Sequence, residues 1–362
     1  MRALVVGGTG PTGPHIVGGL RERGYEVVIL HRGTHELPEL DDYEHIHADP
    51  HFQQTLEQGL QGRTFDLAIA AYGRIRHVAQ ALAGKVDRFM SMSSFSVYRG
   101  FEYRNSENPS SWQVPTGEDR EVVKDESEHK FSYLISSTEA SVFELHPNAT
   151  IFRYPGIYGP RQPMPSAWSL VGRILDKRPH ILLLNGGLAI NSAMHAENAA
   201  HGVLLAVDHK EASAGQAYNM ADTRQLTYRE ILEIVCQELD YSFDVCSLPD
   251  VGDVRKVAYG GLRHHHYLDT FRIRSELGYR DVVDPVEGVR ETARWLADNP
   301  PERGSAQERS VDAFDYATED DLINLWQPMR ARLEQVAATG KELVMHAYAH
   351  PKAPGAVDQQ GR

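Results

Sequence analysis

Short apolar runs alternate with amphipathic stretches through the first half of the chain. Residues 3–6, 26–30, 66–71 and 88–92 are brief, apolar and bounded by turn residues or charges, the pattern of strands buried on both faces. Between them, residues 14–23, 53–61 and 75–83 carry apolar positions at helical spacing. Strands alternating with helices predict a parallel sheet covered on both sides.

The rhythm breaks over residues 99–130. This stretch is polar and acidic, contains Pro109 and Pro115, and reads as a long loop, with Phe101, Tyr103 and Trp112 able to cover a small molecule or to anchor the loop. A helix over 133–145 and a strand over 150–154 follow. Beyond residue 159 the apolar pattern predicts scattered helices at 168–177, 196–207, 228–239 and 286–297, then a charged link, a helix at 318–338 and a disordered tail from 351. The expected organisation is a dinucleotide-binding core over 1–158, a mainly substrate-binding lobe over 159–300, a helical extension over 301–350 and the tail over 351–362.

Composition narrows the function classes. The 362 residues are 41% hydrophobic and 24% charged, ordinary for a globular protein. A net charge of −13 argues against nucleic acid or an anionic membrane as the main partner. Cys236 and Cys246 have no disulfide or zinc spacing, and the apolar run at the start is too short for a signal peptide, so a cytoplasmic protein is expected. Eighteen histidines include His45, His47 and His51, the run His264-His265-His266, and the pair His346 and His350; none has an HExxH context or matched ligands, so no metal is expected.

The chemistry begins at Gly7-Gly8-Thr9-Gly10-Pro11-Thr12-Gly13, placed between the first strand and the first helix. Glycines in this frame allow a tight turn, close approach of backbone N–H groups to a pyrophosphate, and close helix–strand packing, while the helix N-terminus favours the anion. Gly7, Thr9, Gly10, Pro11, Thr12 and Gly13 are therefore candidate cofactor contacts. The residue after the second strand selects the cofactor, because an acid there bonds the ribose 2′-hydroxyl of NAD whereas a basic residue accommodates the 2′-phosphate of NADP. Here the strand runs into His31-Arg32-Gly33. His31 and Arg32 are both candidate cofactor contacts; no acid is present and Arg32 can grip a phosphate with two N–H groups, so NADP(H) is favoured over NAD.

Several further segments carry a resemblance. Arg88-Phe89-Met90-Ser91-Met92-Ser93-Ser94-Phe95-Ser96-Val97-Tyr98, Arg153-Tyr154-Pro155-Gly156-Ile157-Tyr158-Gly159-Pro160-Arg161, Met194-His195-Ala196-Glu197-Asn198-Ala199-Ala200, Tyr218-Asn219-Met220 and Glu276-Leu277-Gly278-Tyr279 occur in one order. Over roughly residues 1–297 the chain resembles the extended short-chain dehydrogenase/reductase family, also called NAD-dependent epimerase/dehydratases. The resemblance implies a Rossmann-type doubly wound parallel sheet with a smaller C-terminal α/β substrate-binding domain. It also implies a homodimer. It adds Asp49, Ala70, Ala71, Tyr72, Tyr154, Pro155 and Ile157 to the cofactor contacts.

It further implies that Ser94 and Tyr133 act on the substrate oxygen. The family's lysine, four residues after the tyrosine, is replaced by Ser137, which can still bond the nicotinamide ribose; three explanations stand, that Lys130, three residues before Tyr133, substitutes as the cation, that the chemistry needs no phenolate, or that the chain only binds a dinucleotide. Asn191 stands where sugar-nucleotide enzymes of the family carry an arginine for the diphosphate, although Arg161 or Arg173 can compensate. The expectation is an NADP(H)-dependent oxidoreductase acting on a small carbonyl, alcohol or enone. A non-catalytic dinucleotide sensor or scaffold and a sugar-nucleotide epimerase or dehydratase remain as alternatives.

Overall fold

A computed structural model of the chain describes residues 1–34, 36–101, 113–341 and 353–357. Tyr103, Trp112, His346, His350 and most of the expected tail lie outside the described residues. The chain divides into two compact units, Met1–Asp315 and Tyr316–Arg362.

The first unit is built on a seven-stranded sheet. In chain order its first half runs β1 (Arg2–Val6), α1 (Gly13–Glu22), β2 (Glu26–His31), β3 (Glu44–His47), α2 (Gln53–Gly59), β4 (Phe65–Ala70), α3 (Ile75–Leu82), β5 (Val86–Ser94), α4 (Lys130–Leu145) and β6 (Thr150–Tyr154). Then follow β7 (Gly156–Tyr158), α5 (Trp168–Leu175), β8 (His180–Leu184), β9 (Ala193–His195), α6 (Ala196–Asp208), α7 (Lys210–Ser213), β10 (Ala217–Asn219), α8 (Tyr228–Glu238), β11 (Asp244–Leu248), α9 (Phe271–Glu276), α10 (Pro285–Asp298) and α11 (Ala306–Arg309). The sheet order is β10-β6-β5-β4-β1-β2-β3, and every neighbouring pair is parallel.

The continuous apolar runs of β1, β2 and β4 are explained by cover on both faces. Val5, Ile29 and Ile69 pack with Ile16, Val17 and Leu20 of α1 and with Val203 of α6. Leu4, Val28, Leu30 and Ala68 pack with Leu56 of α2, Val78 and Leu82 of α3, and Val142 of α4. Strand order reverses between β1 and β4, so the carboxyl ends of these strands open a crevice, the usual ligand position in such sheets.

Residues beyond 158 contribute to both parts of this unit. β10 joins the main sheet beside β6. α5, α8 and α10 instead bury Trp168, Leu170, Leu232, Val235, Val289 and Leu296 together over the parallel pair β8–β11. Three-residue strands such as β7, β9 and β10 carry too short a period to read from sequence. The second unit contains α12 (Tyr316–Ala337), with Pro328 inside the helix. Among the described residues no helix is long and apolar enough to cross a membrane.

The long loop over 99–130 is tied down where it is described. Phe101 is buried with Val97, Tyr98, Ala221 and Leu268, and its ring meets Phe95 edge-on at 5.3 Å. The Thr116 N–H donates to Tyr267 O (2.8 Å), and the Glu118 carboxylate accepts from the Asn219 N–H (2.9 Å). Phe101 thus anchors the start of the loop. The helix after the loop begins at Lys130, three residues earlier than the periodicity indicates, because the His129 ring accepts from the Ser132 N–H and caps it.

Candidate functional site: a dinucleotide crevice with an apolar helix face

The glycine loop is shaped by contacts that exclude side chains. Gly7 has φ +87°, donates its N–H to Leu30 O at 2.9 Å, and would place a Cβ 2.2 Å from Tyr72 Cβ. A Cβ on Gly13 would lie 2.0 Å from Gly8 O. Gly10 differs, since its Cβ would come no closer than 3.7 Å to Gly7 O. Packing within the chain requires Gly7 and Gly13 but not Gly10. Thr12 is the buried N-cap of α1, and Pro14 occupies the first turn. The Ala71 N–H donates to Val6 O (2.9 Å), drawing the end of β4 against the loop.

Four side chains gather at the outer end of the crevice. The Arg32 guanidinium lies 5.7 Å from the Tyr72 ring centre, and the His51 ring meets Tyr72 edge-on at 5.1 Å. Asp49 Oδ1 accepts from the His51 N–H (3.0 Å) and pairs with His51 Nδ1 (2.7 Å). The His51 N–H, chiefly, holds the Asp49 carboxyl below the usual range, with a smaller contribution from the Arg32 charge. Arg32 is exposed and, among the described residues, makes no ion pair.

His31 is not part of this group. As the last residue of β2 it sits opposite His47 of β3, and period-two alternation puts His45 on the same face. Its ring is buried and hydrogen-bonded to His45 (2.7 Å). Burial, then the neighbouring His45 and His47, lower its pKa. The histidine cluster is therefore His31, His45 and His47, with His51 turned to Asp49. Sequence proximity could not reveal this, because strand pairing supplies the third member.

The inner end of the crevice opens into a cavity of about 640 Å³. His51 and residues 71–77 line it on the β4 side, Ser91–Ser94 from β5, and Phe131, Leu134, Ile135, Thr138, Glu139 and Val142 from α4. The volume suits a small ligand or a cofactor headgroup. Ser94 is on this wall, its Oγ accepting from the Ser96 N–H at 3.2 Å.

The other expected catalytic groups are not on the wall. Phe131 and Ile135 are one i,i+4 pair of α4 that faces the cavity, and Leu134 and Thr138 are another. Tyr133 and Ser137 do not line it, Ser137 Oγ donates to Leu134 O (3.2 Å), and the Lys130 side chain is 74% exposed and paired with Glu126. The phase of the helix is the cause. Ser132, Ser136, Glu139 and Val142 form its buried face, and two residues of helix rotate a side chain by about 200°, so Tyr133 turns away where Phe131 turns in.

A buried ion pair holds that phase. Glu139 receives two hydrogen bonds from Arg153 of β6 (2.8 and 3.1 Å) and one from Ser93 Oγ (2.6 Å). Arg153 also donates to Tyr98 OH (2.9 Å), which donates to Asn219 Oδ1 (2.6 Å); burial, first of all, pushes the Tyr98 pKa up to about 12. Beside Arg153, the Tyr154 hydroxyl is buried without a hydrogen-bond partner among the described residues. An orphaned hydroxyl at the end of β6, next to Pro155 and Ile157, fits a site that takes up a polar ligand.

Residues 74–221 match the family described as the NAD dependent epimerase/dehydratase family. The uncharacterized protein YbjS of Escherichia coli (strain K12) is 27% identical over 270 residues, 66% of this chain and 74% of that protein. Among solved structures, DesIV, a dTDP-glucose 4,6-dehydratase from Streptomyces venezuelae with NAD and TYD bound, superimposes with a TM-score of 0.63 at 21% identity, over 83% of this chain and 98% of DesIV. A UDP-glucuronic acid 4-epimerase from Bacillus cereus, solved with UDP-glucuronic acid and NAD, gives 0.62 at 18% identity, over 83% of this chain and all of that one. These likenesses show a Rossmann-like α/β fold, a parallel sheet with flanking helices.

Within the epimerase/dehydratase fold, the segment around His195 is structural. Asn198 bridges α6 to the loop before α10, accepting from the Val282 and Val283 N–H groups and donating to Asp222 (2.8 Å). Asp222 also accepts from Tyr158 OH (2.6 Å) and from the His195 N–H (3.2 Å). Burial pushes its pKa up to about 7 despite these donors. The folded protein thus keeps a proton that the unfolded chain releases near pH 4, and stability falls as pH rises from about 4 to about 7, by at most about 1.4 kcal/mol per unit. Asp222→Asn is expected to flatten that slope, read from urea denaturation at pH 5 and pH 8. An unchanged slope would assign it to another group.

Proposed function

We propose that the chain is an NADP(H)-binding oxidoreductase of the epimerase/dehydratase type in which Ser94, and not Tyr133, holds the substrate oxygen. The observation that carries the cofactor half is the free Arg32 at the ribose end, stacked near Tyr72 and beside Asp49, with no acid after β2. Gly7, Thr9, Gly10, Pro11, Thr12 and Gly13 would hold the pyrophosphate, and Gly10 is bare for a reason outside the chain's own packing. Ala70, Ala71, Tyr154, Pro155 and Ile157 would flank the nicotinamide. The bound cofactor supplies or accepts a hydride. Ser94 would polarise a carbonyl in the cavity, with the proton drawn from solvent, since α4 brings neither a phenol nor an amine to that wall.

A small substrate fits better than a sugar nucleotide. The two arginines that could grip a diphosphate are engaged elsewhere, Arg161 with Glu39 and the buried Arg173 with Asp312. The cavity at Asn191, enclosed by Tyr158, Leu226, Tyr228 and Tyr259, has a volume of only about 100 Å³, below the usual range for ligand sites. The apolar pair Phe131 and Ile135 favours a second reading, a dinucleotide-responsive binding protein without turnover.

Titration with NADPH and NADH, combined with a panel of carbonyl substrates, tests both readings. Arg32→Ala is expected to weaken NADPH about 10- to 100-fold, the worth of a charge-assisted contact of 1.5–3 kcal/mol, and to leave NADH unchanged. Tighter binding of NADH by the unaltered protein would sink the role of Arg32. Tyr133→Phe should leave turnover intact, whereas Ser94→Ala should abolish it. NADPH binding with no consumption on any substrate would favour the second reading.

A further inference from the structure

His31, His45 and His47 converge without any part in the crevice. One ring nitrogen from each lies within 4.8 Å of the other two. The parallel register of β2 and β3 makes this convergence rigid, since His31 is directly opposite His47 and His45 is two residues back on the same face. The rings are set edge to face, at 4.9 Å for His31–His45 and 5.0 Å for His31–His47, so their nitrogens converge and the rings do not stack. His45 Nε2 bonds Leu40 O at 2.9 Å, which orients the ring and leaves Nδ1 toward His31. A carboxylate stands next to the group, with Glu36 Oε1 3.3 Å from His47 Nε2.

We infer that His31, His45 and His47 form a binding site for a late first-row divalent cation of the zinc class, with Glu36 or water as the fourth ligand. Three imidazoles and one carboxylate or water are a donor set that suits zinc, and such ions need ligand nitrogens about 3.3 Å apart. Taking up the ion exchanges one set of contacts for another. The His31–His45 hydrogen bond opens so that both nitrogens turn to the metal, and the proton on His31 Nε2 moves to Nδ1. Nδ1 now accepts from the Gly33 N–H at 3.1 Å, so that contact is given up and residues 32–34 shift. No proton is released in this exchange.

The test uses the full chain without a histidine tag and without dinucleotide, so its result is independent of the cofactor reading. Zn²⁺ titration by calorimetry should show one saturable site, and Co²⁺ in its place should give the intense visible absorption of a four-coordinate ion. His47 is largely exposed, so His47→Ala leaves the packing intact and is expected to weaken Zn²⁺ at least tenfold and to remove the Co²⁺ bands. His209→Ala, an exposed histidine far from the cluster in sequence, should change neither. Absence of a one-to-one site, or Zn²⁺ binding that is equal in His47→Ala, would overturn the inference.

Discussion

Gly13→Ala is expected to abolish measurable dinucleotide binding and to destabilise the first unit by about 3 kcal/mol or more, at or beyond the upper end for an overpacked site. The added methyl would sit 2.0 Å from Gly8 O, 2.2 Å from Gly8 C and 2.8 Å from Gly8 Cα. These are backbone atoms of a tight turn, and no rotamer change relieves them. Relief requires the start of α1 to move off the loop, which breaks the Gly13 N–H to Gly10 O bond (2.9 Å) and misaims the helix terminus. Gly10→Ala is the control that separates fold from binding. Its methyl meets only ordinary contacts, so stability should hold within about 1 kcal/mol, a helix-propensity-sized effect. If a pyrophosphate approaches Gly10, NADPH affinity should still fall. Denaturant titration with fluorescence-monitored NADPH binding reads both variants. A Gly13→Ala protein of full stability would mean that the loop is looser than its contacts indicate.

The fold was legible in the sequence where side-chain period and backbone need coincide. β1, β2 and β4 are buried on both faces, so each carries an unbroken apolar run, and the glycine loop announces itself because Gly7 and Gly13 have no room for a side chain. Arg32 was legible for a similar reason, since the end of a recognisable strand fixes its place. The catalytic set was not. The place given to Tyr133 as catalytic, with Ser137 as a cofactor contact, rests on spacing, and spacing four apart holds equally for Phe131 and Ile135. Which pair faces the cavity is decided by the rotation of α4, and that depends on partners 14 residues or more away. The same limit hid His31, which reaches His45 and His47 only through the β2–β3 ladder. Motif order identified a family; side-chain direction needed the sheet.

The ion pair that sets the rotation makes the second strong prediction. Glu139→Ala is expected to cost about 3–5 kcal/mol, because it leaves the Arg153 guanidinium charged, buried and short of two hydrogen bonds. The loss should exceed that of Glu139→Gln, which keeps the shape and still accepts a hydrogen bond from Arg153 or Ser93. Removing both charges, as Glu139→Leu with Arg153→Met, should recover much of the stability, since an apolar pair of similar volume needs no compensation. A double-mutant cycle by urea denaturation measures the coupling. A double variant that loses the sum of the two single losses would show that the charges are not coupled and that packing alone holds α4. The cycle also bears on function. Without the pair α4 loses one of the contacts that fix its rotation, and any NADPH-dependent turnover that then required Tyr133 would show that the helix phase, set in part by Glu139 and Arg153, is what keeps this phenol out of the cavity.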